Sequence, residues 1–392
     1  MKRSVAGGPL TSAFLRVVIA AAFAAMALPA IADPVYFPGS HWERRAPSDL
    51  GFNPKALEEA IRYAQQNEAP WEYDVLKQIQ RDVANEPYPA ILGETSERGG
   101  PAGMVVRHGY LVAQWGDIDR VDMSFSVAKS YLSTVAGLAV DAGINSDVND
   151  RVADYVHDGG FDDSHNRKVT WHMLLNQTSE WEGTLWDKPD VADRRRGYDR
   201  TLKTPGTFWE YNDVRVNRLA LALLRVFQRP LPEVLREKVL KPIGASDTWV
   251  WHGYRNSYVD IGGRSVQSVS GGSHWGGGFW ASARDHARFG YLLLRRGEWN
   301  GKQILSERWV ELAIHPTDIA PHYGYMWWLS GDGRGIFPGA PDSSFFALGS
   351  GGNMIWIAPE LDLVVVTRWL DRPKLDGFIT RVSASLKVET KN

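Results

Sequence analysis

Ser126-Val127-Ala128-Lys129 is the one place in the 392-residue chain where a serine stands three residues before a lysine. Residues i and i+3 share a helix face, so the hydroxyl and the amine can hydrogen-bond there. A neutral amine so placed can take the hydroxyl proton and turn the serine into a nucleophile. The positive end of a helix starting at Ser126 would favour a developing alkoxide and push the lysine amine toward neutrality. The bland alternative is Ser126 as a helix cap and Lys129 as a solvated first-turn residue. A second candidate is Tyr211, in Pro205-Gly206-Thr207-Phe208-Trp209-Glu210-Tyr211-Asn212-Asp213. A tyrosine on a turn near an ammonium can serve as general base or acid, whereas an isolated one is as readily a buried ring with a satisfied hydroxyl.

The elements that must position these groups can be read from periodicity. Residues 53–67 predict an amphipathic helix with Leu57, Ile61 and Ala64 on one face. Met104 to Ala113, turning at Gly109, predicts a β-hairpin. The helix begun at Ser126 runs to Gly143 with apolar or small residues all round, so it should be buried. Between 150 and 250 the helical segments Thr170–Leu175 and Arg215–Phe227 are separated by loops rich in Trp, Pro, Asp and Arg, which suggests a helical inserted lobe. Strand patterns return over Ser344–Leu348, Met354–Ile357 and Leu363–Thr367, and a last helix carries Phe378, Val382 and Leu386. The expected fold is α/β in the α+β sense: one antiparallel sheet made from both chain ends, flanked by helices.

Residues 1–32 are expected to be an export segment rather than fold. Lys2 and Arg3 precede an apolar run from Val17 to Ile31, and Ala30-Ile31-Ala32 supplies the small residues of a cleavage site. The run is short against the roughly 20 residues of a membrane span. A secreted or periplasmic protein, occupying 33–392 and built as two lobes, is the expectation. The chain has no cysteine, which excludes disulfides, thiolate catalysis and cysteine-based zinc sites. No metal motif and no cofactor is indicated. A formal charge of −2 without long basic runs argues against nucleic-acid partners. The one basic cluster, Arg194-Arg195-Arg196, is expected to be a solvated loop.

The order S-x-x-K, then P-G-x-x-x-x-Y, then a glycine turn between two C-terminal strands resembles the serine β-lactamase and penicillin-binding-protein superfamily. The likeness is to its class C branch and the related esterases and amide hydrolases. The stretch His274-Trp275-Gly276-Gly277-Gly278-Phe279-Trp280 and the ending Gly351-Gly352-Asn353-Met354-Ile355-Trp356 add to it, and the whole covers about residues 50–390. The resemblance implies Ser126 as the nucleophile of an acyl-enzyme, Lys129 as its activator and Tyr211 as proton relay to the leaving group. It implies an oxyanion hole from the backbone N–H groups of Ser126 and Asn353, with Ser350, Gly351 and Gly352 on the pocket wall. Trp275, with Trp181, Trp186, Trp209 and Trp280, falls in segments expected near the cleft, and His274 has no catalytic task left to it.

Two departures bear on the substrate. Asp213 stands where the family carries asparagine, and Ser350-Gly351-Gly352 where its lactamases carry K-T-G or H-T-G. Both changes should make the pocket less attractive to anions. The expected substrate is therefore a small ester or amide with a neutral or amine-bearing end, and the 6-aminohexanoate-dimer hydrolases are the branch brought to mind. A β-lactamase or D-amino-acid peptidase is the alternative. A catalytically weak cell-wall peptide-binding protein is the rival of another class. An α/β-hydrolase is disfavoured because no G-x-S-x-G follows a strand.

Overall fold

The computed structural model describes residues 35–331 and 335–386, so the export segment expected over 1–32 lies outside the described residues. In chain order the elements that build the site are α1 (Pro54–Gln66), β1 (Ala102–Arg107), β2 (Tyr110–Trp115), α2 (Val127–Asp141), α3 (Asp213–Phe227), α4 (Ala283–Leu294), β3 (Trp328–Leu329), β4 (Phe345–Gly349), β5 (Asn353–Ala358), β6 (Leu363–Arg368) and α5 (Leu375–Ser385). The six strands form one antiparallel sheet in the order β3-β4-β5-β6-β1-β2, joining N-terminal and C-terminal segments as the pattern predicted.

Alternation along each strand sends side chains to opposite faces. Val105, Trp356 and Val365 pack with Leu57 and Ala60 of α1 and Phe378 and Val382 of α5. Met104, Ile355, Ile357 and Val364 face the other way, into the larger core shared with α2 and α4. A central strand covered on both faces reads as a nearly continuous apolar run, and Leu363-Val364-Val365-Val366 is one. Gly290 lets α4 close on this sheet, since a Cβ there would lie 2.8 Å from both Ile355 and Val364. Helix α2 is buried from Val127 to Ala139, as its all-round apolar sequence required.

Between Asp150 and Trp249 the chain makes α3, short helical turns and a small hairpin pairing Thr184–Leu185 with Lys188–Pro189. A second antiparallel sheet follows, in the order Asp122–Met123, Gly278–Ala281, Val250–Ile261, Arg264–Val269. Its twelve-residue strand starts about where the sequence first offers a strand, near Trp249, and a register shift between Gly253 and Tyr258 breaks the period of two along it. The available signal was Gly262-Gly263, whose positive φ angles of 59° and 81° make the tight hairpin turn. Among the described residues no helix is long and apolar enough to cross a membrane.

Candidate active site

Ser126 is presented by a strained turn. Phe125, directly before it, holds φ at +50°, a region that aromatic side chains rarely enter. Packing keeps it there, with its ring edge-on to Trp71 at 5.3 Å and to Trp369 at 6.2 Å. Ser124 Oγ lies 2.8 Å from His286 Nε2, whose Nδ1 lies 2.9 Å from the Tyr131 hydroxyl, so one buried imidazole ties the segments before and after the nucleophile. Burial, with Arg368 nearby, holds His286 well below the ordinary histidine range, leaving it neutral with one donor and one acceptor nitrogen. Ser126 itself makes no side-chain capping bond, so the cap role does not describe it.

Lys129 Nζ donates to Ser126 Oγ at 2.9 Å and to Asp213 Oδ1 at 2.6 Å. Asp213 is therefore not a free wall residue facing substrate: its carboxylate pairs with the buried lysine at the base of the cleft. It is fixed at the start of α3 by its own N–H, which donates to Asp193 at 2.7 Å, and by the His274 N–H, which donates to Oδ2 at 3.3 Å. Asn212 caps α3 through Arg215 N and donates to the Asp190 carbonyl at 2.8 Å. Gly272 completes the fit, because a Cβ there would come within 2.1 Å of Asp213 Oδ2 and 2.3 Å of Lys129 Nζ.

The charge on Lys129 follows from these neighbours. Burial alone would push the amine down, but the Asp213 carboxylate and then Tyr211 outweigh it, so Lys129 titrates above the usual lysine range. Asp213 is held below the usual carboxylate range: burial opposes this, and Lys129 with His274 and Arg195 overcomes it. The amine expected to sit near neutrality is thus an ammonium at rest. The helix-end effect that suggested otherwise is worth about 0.3–1 kcal/mol, small beside a buried ion pair.

Ser126, Tyr211, Asp213 and Ser350 share one cleft of about 540 Å³. The Tyr211 ring lies between Lys129 Nζ at 4.6 Å and the Arg195 guanidinium at 4.8 Å, and stacks on Trp328 at 5.5 Å. Of the tryptophans expected near the site only Trp209 lines the cleft, and Trp71 and Trp328 supply the rest of its indole surface. Trp275 is wholly buried outside the lining, with Lys188 Nζ 4.3 Å over its ring. Gly351 and Gly352 lie beneath the site rather than on its wall, for a Cβ on them would meet Trp369 at 2.5 Å and the Leu370 carbonyl at 1.4 Å. Asn353 is buried opposite Gly349 and also lies outside the lining, whereas Ser350 is exposed in it. After β4 the residue that lines the cleft is therefore Ser350 and not Asn353, which makes the Ser350 N–H the candidate second donor beside that of Ser126.

Arg194, Arg195 and Arg196 all line the cleft; Arg195 and Arg196 stay exposed, as a solvated loop requires, and only Arg194 turns inward. Arg194 is buried against Asp190 at 2.6 Å, and Arg195 pairs with Asp193 at 2.9 Å. His274 also lines the cleft and pairs with Glu86 at 2.9 Å. Burial disfavours its charged form, yet Asp193, Glu86 and Asp213 raise it above the ordinary histidine range. Arg196 and Arg372 complete the cationic lining, and among the described residues neither has a carboxylate within ion-pair distance. Trp71, Glu86, Trp328 and Arg372 carried no sequence signal, since each comes from a segment remote from the motifs. For Arg195 the acidic partner two residues earlier was such a signal.

A family model described as Beta-lactamase matches residues 90–369. The chain belongs to the beta-lactamase family. The 6-aminohexanoate-dimer hydrolase of Paenarthrobacter ureafaciens is 25% identical over 247 residues, covering 59% of this chain and 54% of that protein. The match thus spans about half the length of that curated relative. A penicillin-binding protein homologue from Caulobacter crescentus superposes with a TM-score of 0.55 at 16% identity, over 81% of this chain and 99% of that one. The hydrolase EstCE1, described as having promiscuous acyltransferase activity, gives 0.56 at 14% identity over 84% and 98%. At such identities the two structures speak for the fold. The family suggested by the motifs is the family found, and the antiparallel sheet flanked by helices is its fold.

Proposed function

We propose that the protein is an exported serine hydrolase that cleaves an ester or amide bond through an acyl-enzyme on Ser126. The observation that carries this reading is Ser126 Oγ, opening on the cleft with Lys129 Nζ 2.9 Å behind it. Export rests on the sequence of residues 1–32. As Oγ bonds to the substrate carbonyl carbon, its proton passes to Nζ, and Nζ hands one of its own to Asp213 Oδ1, 2.6 Å away. The buried pair, rather than Lys129 alone, is thus the proton acceptor. The negative charge on the carbonyl oxygen meets the N–H groups of Ser126 and Ser350; one such donor has been worth about 2.7–4 kcal/mol where measured. The Tyr211 hydroxyl then protonates the leaving oxygen or nitrogen as its bond to carbon breaks, and Lys129, drawing on Asp213, restores the Tyr211 proton. Water attacks the acyl-enzyme by the same route in reverse. A fluorophosphonate probe is expected to label folded protein on Ser126 and nowhere else. Folded protein left unlabelled would overturn the reading.

The cleft also bears on substrate charge, and here the expectation of a neutral or amine-bearing substrate gives way. Asp213 is neutralised by Lys129, so it does not repel an anion. Among the described residues Arg196 and Arg372 are cations without an ion-pair partner, against one such carboxylate of the lining, Asp82, which burial raises above the usual carboxylate range. The favoured substrate carries a negative group at that wall. A p-nitrophenyl ester with a terminal carboxylate should therefore exceed its neutral isostere in kcat/KM by roughly 3–10-fold at low salt, a range suited to exposed and screened pairs. Arg196→Ala should remove most of that preference. Equal kcat/KM for the two esters would return the expectation to uncharged substrates.

A further inference from the structure

We propose that Arg368 is a positioning residue of the oxyanion hole, holding the Ser350 turn in register with the Ser126 turn through Asn353. The proposal rests on the serine-hydrolase reading and goes beyond it. Arg368 ends β6 with its guanidinium buried behind the cleft. Its three nitrogens reach three separate segments: Nε donates to Asn353 Oδ1 at 2.6 Å, Nη1 to the Ala281 carbonyl at 2.6 Å, and Nη2 to the Met123 carbonyl at 3.0 Å. Met123 lies three residues before the nucleophile. Asn353 in turn donates from Nδ2 to the Ser350 carbonyl at 2.7 Å. One planar group thus spans the backbone leading into Ser126 and the side chain that fixes the turn at Ser350.

The burial of this charge is otherwise hard to justify. Among the described residues no carboxylate lies within ion-pair distance of Arg368; its hydrogen bonds all go to neutral oxygens, and Asp122 acts on its charge only through space. An apolar side chain would fill the space without that desolvation. A fork of fixed geometry does what an apolar residue or a lysine cannot: it sets distances between three chain segments. The two turns it joins touch directly, since a Cβ on Gly349 would lie 2.1 Å from the Ser124 carbonyl oxygen. A small shift of either turn therefore changes the separation of the two N–H donors, and donor placement within a few tenths of an ångström decides the value of an oxyanion hole. The same link explains why Asn353 is buried without facing the cleft: it serves the hole through the Ser350 carbonyl.

The test uses Asn353→Ala, Asn353→Asp and Arg368→Lys with a neutral p-nitrophenyl ester, following kcat, KM, the fluorophosphonate labelling rate and Tm. Asn353→Asp is the decisive variant, because its carboxylate still accepts from Arg368 but cannot donate to the Ser350 carbonyl. Each variant is expected to lose about 10–10³-fold in kcat and in labelling rate, with KM changed less than about threefold. Asn353→Asp should lose as much kcat as Asn353→Ala while keeping the higher Tm. The Asn353→Ala, Arg368→Lys double variant should lose little more than the worse single one, since both act through one link. If Asn353→Asp restores kcat along with Tm, the residue is merely structural and the proposal fails. It fails equally if folded Asn353→Ala keeps the wild-type kcat. Wild-type protein that neither labels on Ser126 nor turns over ester would instead defeat the underlying hydrolase reading, so the two failures are distinct.

Discussion

Ser126→Ala is expected to end acyl-enzyme formation, lowering kcat for a p-nitrophenyl ester by at least about 10⁴-fold; loss of the nucleophile costs on the order of 10⁶ in a serine hydrolase of unrelated fold. The size follows from what the substitution leaves in place. The N–H of residue 126, the Ser350 turn and Tyr211 all remain, so the variant still binds and polarises a carbonyl but has no group to attack it. The fold should be nearly indifferent. Ser126 makes no capping bond, and Lys129 loses one acceptor at 2.9 Å while keeping Asp213 at 2.6 Å. A Tm within a few degrees of wild type is therefore the companion expectation, corresponding to about 1 kcal/mol or less. The measurement is the pre-steady-state burst of p-nitrophenol together with intact mass after mixing with ester. Turnover at the wild-type rate, or an acyl mass adduct on the variant, would show that another residue is the nucleophile.

What the sequence made legible is what is local. A serine and lysine one helical turn apart, a tyrosine on a proline-glycine turn and a glycine turn between apolar strands each declare themselves within a few residues, and the structure brings Ser126, Tyr211 and Ser350 to one cleft with Lys129 behind Ser126. The main sheet was legible for the same reason, because β1, β5 and β6 are short, nearly continuous apolar runs and α1 and α5 carry one-sided apolar faces. What escaped is what pairs across the chain. Asp213 looked like a pocket wall because nothing in Tyr211-Asn212-Asp213 reveals a lysine 84 residues away. Asn353 looked like an oxyanion donor because its position after the glycine turn fitted; only the pairing of β4 with β5 places Ser350 in the cleft instead. Arg194-Arg195-Arg196 read as solvated because three adjacent cations usually are, and this holds for Arg195 and Arg196; what escaped is that Asp190 buries Arg194 and that the loop borders the cleft. The extent of the strand Val250–Ile261, though not its start, was hidden by its own bulge.

Asp213→Asn should move the acid limb of the kcat/KM profile upward, out of the carboxylate range. In the wild type the Lys129–Asp213 pair accepts the Ser126 proton as long as Asp213 is ionised. Asp213 titrates below the usual 3.8, so activity should persist into mildly acid solution. Asparagine cannot take a proton, and Lys129 must then be neutral before it can serve. Without the carboxylate that raised it, the buried amine titrates below its usual 10.5, but it and not a carboxylate now sets the limb, so the limb rises. Below that limb the variant should be about 10²–10⁴-fold slower, the ordinary cost of a lost general base. Stability supplies an independent check of the sign. The raised lysine contributes fully below 10.5 and is lost only as pH rises through its folded value; the lowered aspartate contributes above 3.8 and is lost as pH falls through its own. The wild-type pair therefore adds no pH dependence between those values. In Asp213→Asn the unfolded chain binds the lysine proton more readily than the folded one, so stability should climb with pH toward 10.5. At low pH an unpaired buried ammonium costs about 3–5 kcal/mol. An acid limb that stays in place or moves downward would show that Lys129 accepts the proton alone, and would remove Asp213 from the proton path.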